Sequence, residues 1–368
     1  MNADFLIIGG GIAGISSAAA LAAHGSVVLV EQESHLVYHS TARSAAIFID
    51  SYGNSVVQHL SRFSRPLLAA NAPGADGTLL TPRGAVHLIP AGMDFSDAGE
   101  KCAALPRMTP ADVRTLIPII KEEAIRGGIH EASCADIDVH ALHTAYKRQV
   151  RAHDGVILTD AKVERADRSG GVWSVKAGAR IISAPVVINA AGAWAGAAGA
   201  IFGATDPGLR PTKRSAALVR APAGQDIASW PVAGTITETV YFKPEAGKLM
   251  ISPYDEIPCE PHDVYADDQD LAAGIDRFEQ LVDWSIHRID SSWAGLRTLT
   301  VDGRPIVGPD PVIPGLFWLA GQGGFGIQTA PATAALIAAQ VLGHAIPSEL
   351  ATIVDAVAPG RVLAARHT

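Results

Sequence analysis

The sequence predicts an α/β fold built around a buried parallel sheet, and three observations predict it. First, short uninterrupted apolar runs such as Phe5-Leu6-Ile7-Ile8, Val27-Val28-Leu29-Val30, Val186-Val187-Ile188 and Leu316-Phe317-Trp318-Leu319-Ala320 have the length and composition of strands covered on both faces. Second, Ala-rich stretches that read as helices follow the first and the last of these runs. Third, a glycine-rich turn joins strand to helix in both places. Strand, glycine turn and helix in that order make the fold Rossmann-like.

The first unit starts with the strand at Asp4–Ile8. Gly9-Gly10-Gly11-Ile12-Ala13-Gly14 follows and matches G-x-G-x-x-G. Gly9 permits the tight turn, Gly11 lets the backbone approach a pyrophosphate, and Gly14 lets the helix pack close to the strand. The helix reads from Ile15 to Ala23, and His24-Gly25 closes it, glycine being the usual residue past a helix end. Its free N–H groups and positive dipole end would face the pyrophosphate. Val27–Val30 is the second strand and ends at Glu31, twenty residues after Gly11, where a carboxylate can accept hydrogen bonds from ribose hydroxyls. The acid disfavours a 2′-phosphate, so NADP is not expected.

The remaining units choose between NAD and FAD. Val186–Asn189 runs into Ala190-Ala191-Gly192-Ala193-Trp194. The strand Leu316–Ala320 runs into Gly321-Gln322-Gly323-Gly324-Phe325-Gly326-Ile327-Gln328-Thr329, and a helix is expected over about 330–342. One nucleotide half needs one such unit. A second aimed at the same ligand suits a longer cofactor, FAD, with the helix N-terminus against the flavin edge that gathers negative charge.

Composition narrows the function classes. The chain has 368 residues, enough for about two domains. A net charge of -8 and no Lys/Arg run argue against nucleic acid and anionic membranes as partners. Cys102, Cys134 and Cys259 are unpaired in spacing, which suits a reducing cytoplasm and neither a disulfide framework nor a zinc ribbon. Phe5–Ala23 lacks charge, but Asp4 precedes it where an export signal needs a cation, so no integral membrane segment is expected. Asp136, Asp138, His140 and His143 resemble metal ligands. Asp138 reads more simply as the N-cap of a helix starting near Val139, with both histidines on its surface, and no metal is expected. Cys259, Glu260, His262 and Asp263 read as a solvated loop.

Taken together, the motifs resemble the D-amino-acid oxidase superfamily of flavoenzymes, and within it the bacterial FAD-dependent D-arginine dehydrogenase subgroup. The resemblance is carried by residues 38–46, by Asp136-Ile137-Asp138, by residues 189–194, by Tyr241-Phe242-Lys243-Pro244, by Trp293-Ala294-Gly295-Leu296-Arg297 and by residues 323–329. It implies a noncovalent FAD in a discontinuous domain of residues 1–80, 145–210 and 290–368. A second, α+β substrate domain on a mixed or antiparallel sheet would take residues 80–145 and 210–290. Tyr241-Phe242 and Lys248–Ser252 alternate as half-exposed strands of that sheet would. The implied cofactor contacts, beside Gly9, Gly11, Gly14 and Glu31, are Ser40, Arg43, Ser44 and Ala45, then Val163, Gly192 and Trp194. Gly323, Gly324, Gly326, Ile327, Gln328 and Thr329 complete the set.

Oxidising an amino acid requires its carboxylate anchored, its amine deprotonated and its α-hydrogen turned to the flavin. The planar fork of arginine matches a carboxylate. The resemblance makes Arg297 and Arg214 the anchors and places Tyr241 and Tyr52 in the pocket wall. Two positions depart from the D-arginine-oxidising pattern: Ile47 stands for a histidine, and Ala85 for the glutamate that would pair with a substrate guanidinium. His87 shares a strand face with Ala85 and can reach the same pocket. These residues imply a cytoplasmic dehydrogenase of neutral D-amino acids that passes electrons to a quinone or another acceptor. Two alternatives stay open: an oxygen-using oxidase of glycine or N-methylated amino acids, and an FAD-binding subunit without amine chemistry.

Overall fold

A computed structural model describes residues 1–70 and 74–364. The first sheet has the spatial order Ile306–Pro309, Leu316–Ala320, Val186–Asn189, Phe5–Ile8, Val27–Val30, Val156–Leu158. All neighbours are parallel except the Ile306–Pro309 edge strand. Successive side chains enter opposite layers: Phe5 and Ile7 join one core, Leu6 and Ile8 the other. Ile12–Ala22, Val139–Ala152 and Gly326–Leu342 cover the first face. The antiparallel meander Val163–Ser169, Val172–Ala177, Arg180–Ala184 covers the second. With both faces covered, the strands show no polar alternation.

Both glycine-turn helices begin earlier than their composition predicts, at Ile12 and Gly326. Gly14 in the first helix and Gly326 in the second lie in the first helical turn, and their low helix propensity hides this. Gly25 is not a left-handed cap. The helix closes on Ala23 in right-handed geometry. Gly25 is needed for close approach, since a Cβ there would lie 2.9 Å from Asp4 Oδ2 and Phe5 Cε2.

The second sheet is larger and mixed. Across it lie Ile289–Leu299, Arg210–Arg220, Lys248–Ser252, Tyr241–Glu245, Val232–Thr235, Ala85–Pro90, Ile125–Glu131 and Arg107–Met108, with Ile257–Pro258 pairing lower on Arg210–Arg220. Val232–Thr235 and Ala85–Pro90 pair in parallel, and the other pairs are antiparallel. Ile289–Leu299 therefore carries this sheet past residue 290, while Val139–Ala152 packs on the first sheet from residue 139 onward. A small sheet of Ile47–Phe48, Ala135–Ile137 and Leu80–Pro82 lies between the two. No helix among the described residues is long and apolar enough to cross a membrane.

Candidate active site

The site starts at the first glycine turn. Gly9 has φ +108°, and a Cβ there would lie 2.5 Å from the Ala190 carbonyl oxygen, so both conformation and space require glycine. A Cβ on Gly14 would lie 1.8 Å from the Gly9 carbonyl oxygen, which shows how closely the helix sits on the turn. Gly11 is different. Its φ of -75° suits any residue, and its Cβ would meet only Thr41 Oγ1 at 3.2 Å on the way into the cavity. Thr41 Oγ1 accepts from the Ile12 N–H at 3.1 Å. Glu31 Oε2 accepts from the Gly10 N–H at 2.7 Å and its Oε1 from the Glu33 N–H at 3.0 Å, which fixes the carboxylate at the cavity edge.

His143 is not on the helix surface. It is buried beneath this turn, where Nε2 donates to the Gly10 carbonyl at 3.2 Å, and burial lowers its pKa below the ordinary imidazole value. Asp138 does cap its helix, accepting from the Ala141 N–H at 2.8 Å. Asp136 is occupied by Arg83 at 2.7 Å and Lys243 at 2.8 Å.

A continuous cavity of about 390 Å³ runs from Gly9, Gly11 and Glu31 to Arg214 and Arg297. Ser40, Ser44, Ala45, Val163, Gly192, Trp194, Gly323, Gly324, Gly326 and Ile327 line its length. Four expected cofactor residues behave otherwise. Arg43 lines the wall, but its guanidinium is bound to Asp263 at 2.6 Å and to the Val264 and Ala294 carbonyls. Gln328 presents one side to the cavity while its amide clamps the Ile49 backbone and Ser61. Thr329, one turn into the helix, rotates inward; it is fully buried, bonds the Phe325 carbonyl and does not line the cavity. Gly14 supports the turn from below and is also outside the wall.

The chain's own groups fit FAD. The Gly326–Leu342 helix has no side-chain cap and no acid in its first turn, so its positive end is directed at the cavity through Gly323, Gly324 and Gly326. Gln322 lines the same stretch, and its buried Nε2 has no hydrogen-bond partner among the described residues. At the other end Trp194 packs at a tilt against His39 with centroids 4.4 Å apart, and His39 pairs with Glu33 at 2.9 Å.

The large sheet builds the opposite end. Arg214 faces Gly295 and Arg297 faces Thr212 across the strand pair, so the two arginines share one face as diagonal neighbours. Arg297 Nη1 donates to Tyr52 Oη at 3.0 Å. A Cβ on Gly324 would lie 2.7 Å from Arg297 Nη1 and 2.8 Å from Tyr52 Oη, so this glycine makes room for the pair. Arg214 lies 4.7 Å over the Tyr254 ring, donates from Nε to the Asp255 carbonyl, and reaches half-exposed Glu256 at 3.5 Å. Its buried Nη1 has no partner among the described residues. Burial, then the charge of Arg297, lowers the Arg214 pKa. Tyr241 packs edge-on against Tyr254 with centroids 5.1 Å apart, and burial pushes the Tyr254 hydroxyl up. Two cations thus stand among three phenols at this end of the cavity.

Ile47, Ala85 and His87 line the same cavity. Ala85 packs with Val232, Cys134, Ile47 and Ile49. His87 Nε2 bonds Glu131 Oε2 at 3.0 Å. Glu131 is 1% exposed and also accepts from the Asp50 and Ser51 N–H groups and from Ser51 Oγ. Burial raises its pKa, but the His87 and Ser51 hydrogen bonds outweigh that and hold the carboxyl below its usual range.

Tyr254, Gln322 and Glu131 escape the sequence reading. Tyr254 sits in Ser252-Pro253-Tyr254-Asp255-Glu256, which reads as a loop, and its φ of +59° cannot be seen from residue type. Glu131 leaves no clear signal either: its strand Ile125–Glu131 also holds Arg126 and His130, and only its pairing shows that the acid is buried.

A family model described as DAO, FAD dependent oxidoreductase, matches residues 4–340. FAD-dependent oxidoreductase domain-containing protein 1 of Bos taurus is 29% identical over 187 residues, 44% of this chain and 37% of that protein. Glycine oxidase of Bacillus licheniformis is 26% identical over 237 residues, 60% of each chain. The chain thus spans less than two thirds of the length of these curated relatives. The crystal structure of glycine oxidase from Geobacillus kaustophilus superposes with a TM-score of 0.82 at 22% identity, over 95% of this chain and 97% of that one, a likeness of fold.

Proposed function

The chain belongs to the DAO family of FAD-dependent oxidoreductases, and from that premise we propose that it oxidises the amine of an amino acid held by its carboxylate at Arg214 and Arg297. The observation that carries this reading is the arginine pair. Two guanidinium groups share one sheet face at the end of the FAD cavity, with one nitrogen unpartnered among the described residues. A substrate carboxylate supplies what such a site lacks.

Bound in the cavity, FAD supplies the acceptor for the hydride that leaves the substrate α-carbon. The chain's residues do the rest. Arg297 and Arg214 fix the carboxylate, and Tyr52 holds Arg297. Tyr241 and Tyr254 wall the site with ring faces and exclude water. The amine nitrogen loses a proton as the carbon loses its hydride. The imino acid that results takes up water and releases ammonia and a 2-oxo acid.

The finer reading is a dehydrogenase of D-amino acids with neutral side chains, related to the D-arginine dehydrogenase subgroup, with electrons passing to a quinone or another acceptor. Ile47, Ala85 and Val232 make the side-chain compartment apolar, and an unpaired cation is costly there. The glycine oxidase relative favours a second reading, an oxygen-using oxidase of glycine or N-methylated amino acids. Turnover with an artificial electron acceptor separates them. A neutral D-amino acid should give equimolar 2-oxo acid and ammonia with little oxygen uptake. Formaldehyde from an N-methylated substrate, with hydrogen peroxide, would favour the second reading instead.

A further inference from the structure

His87 stands beside the apolar residues Ile47, Ala85 and Val232 in the cavity wall, and the anchoring scheme above does not use it. Tyr241, Gly234 and His87 lie in one ladder across three adjacent strands, so all three face the cavity. Gly234 leaves the middle of that row bare, since a Cβ there would lie 2.9 Å from the Tyr241 Cβ. Two strand spacings put His87 about 10 Å from Tyr241, the reach of a substrate side chain that starts beside the anchor. Ala85 and Val232 occupy the next row of the same face and offer no polar atom.

The imidazole is held for contact. Its Nε2 points back to Glu131, which Ser51 and two backbone N–H groups fix in turn, on the segment that leads directly into Tyr52. Nδ1 has no hydrogen-bond partner among the described residues, while the ring lines the cavity. With the carboxylate holding Nε2–H, the ring orientation is set as it is for buried His–carboxylate pairs elsewhere.

We propose that His87, positioned by Glu131, is a specificity-determining residue that selects amino acids whose side chains end in a neutral hydrogen-bonding group, a carboxamide or a hydroxyl. The inference rests on the amino-acid reading of the arginine pair. A carboxylate terminus would meet the negative charge of Glu131 just behind the ring, and an ammonium would lose its water among Ile47, Ala85 and Val232 while both Glu131 oxygens are already held by His87, Ser51 and the Asp50 and Ser51 N–H groups. A carboxamide can donate to and accept from Nδ1 in either protonation state of the ring.

The test compares near-isosteric substrates, so that shape cancels. Rates of anaerobic flavin reduction are measured with D-Asn against D-Leu and D-Gln against D-Met, in the native holoprotein, in His87→Phe and in Glu131→Gln. His87→Leu is measured beside them, so that loss of FAD by one variant does not remove the test. The larger of the two amide-to-apolar ratios should fall about tenfold or more on His87→Phe or His87→Leu, the scale of one buried hydrogen bond. It should fall by less on Glu131→Gln, which keeps the ring but loosens it. Ratios unchanged in all variants, with reduction by amino acids intact, would overturn the role of His87. No reduction of the native flavin by any of the four would instead overturn the reading of the substrate as a D-amino acid, on which this role of His87 rests.

Discussion

Arg214 and Arg297 stand diagonally across one strand pair on the same face of the large sheet, Arg214 opposite Gly295 and Arg297 opposite Thr212. Like charges so placed repel, and among the described residues the one acid within ion-pair distance of either, Glu256, is half-exposed and reaches only Arg214. A shared anion would relieve the repulsion, and the substrate carboxylate is the anion proposed for it.

Removing either fork should therefore weaken the substrate and spare the cofactor. Arg297→Met should raise the substrate Kd by about 2–5 kcal/mol, and Arg214→Met should act in the same direction. FAD content should stay at the native level. Kd from anaerobic flavin titration checks this, and a native Kd in Arg297→Met would remove that residue from the site.

Gly324 tests the same contact from the other side. A methyl there would intrude on Arg297 Nη1 and Tyr52 Oη, both under 3 Å away. Gly324→Ala should raise the substrate Kd at least about tenfold, the scale of one charge-assisted hydrogen bond. Unchanged binding would show that the pair shifts without consequence.

The second and third spaced glycines of the nucleotide turn should separate cofactor binding from folding. Gly11 has ordinary dihedral angles and opens on the cavity, so Gly11→Val should give a folded, colourless protein. Gly14→Ala collides with the Gly9 carbonyl and should lose stability outright. Absorbance at the flavin bands together with far-UV circular dichroism reads both. In the native protein acid or heat should release FAD intact, and FAD that stays in the precipitate would mean a covalent link.

How much of this was legible in the sequence depends on how local each feature is. The first nucleotide turn was, because four apolar residues, three spaced glycines and a terminal acid all lie within about thirty residues. Arg297 was legible through a motif. The His87–Glu131–Ser51 network was not, because it joins three elements that only the sheet pairing brings together. The same pairing sets Ala85 directly opposite Glu131. A glutamate introduced at position 85 would therefore meet a buried like charge, which sequence alone does not show. Thr329 failed for a rotational reason: a residue one turn inside the Gly326–Leu342 helix turns from the cavity to the core.

Acid should loosen the nucleotide turn through His143. Burial keeps this ring neutral in the fold, with its pKa below the ordinary value. The unfolded chain binds a proton near about pH 6.5. The stability associated with the neutral ring is complete above that value and falls as pH drops toward the lower folded pKa. Between pH 7 and pH 5 the native melting temperature should fall more than that of His143→Gln, which retains an N–H for the Gly10 carbonyl. Parallel melting curves in the two proteins would contradict it.

The central claim is amine oxidation at the arginine pair. The most direct measurement is anaerobic absorbance of the FAD-loaded protein mixed with a panel of D- and L-amino acids, glycine and N-methylated amino acids. Neutral D-amino acids should bleach the flavin faster than D-Arg or D-Lys, and Arg297→Met should slow that bleaching. A flavin that dithionite reduces and no member of the panel does would contradict the account.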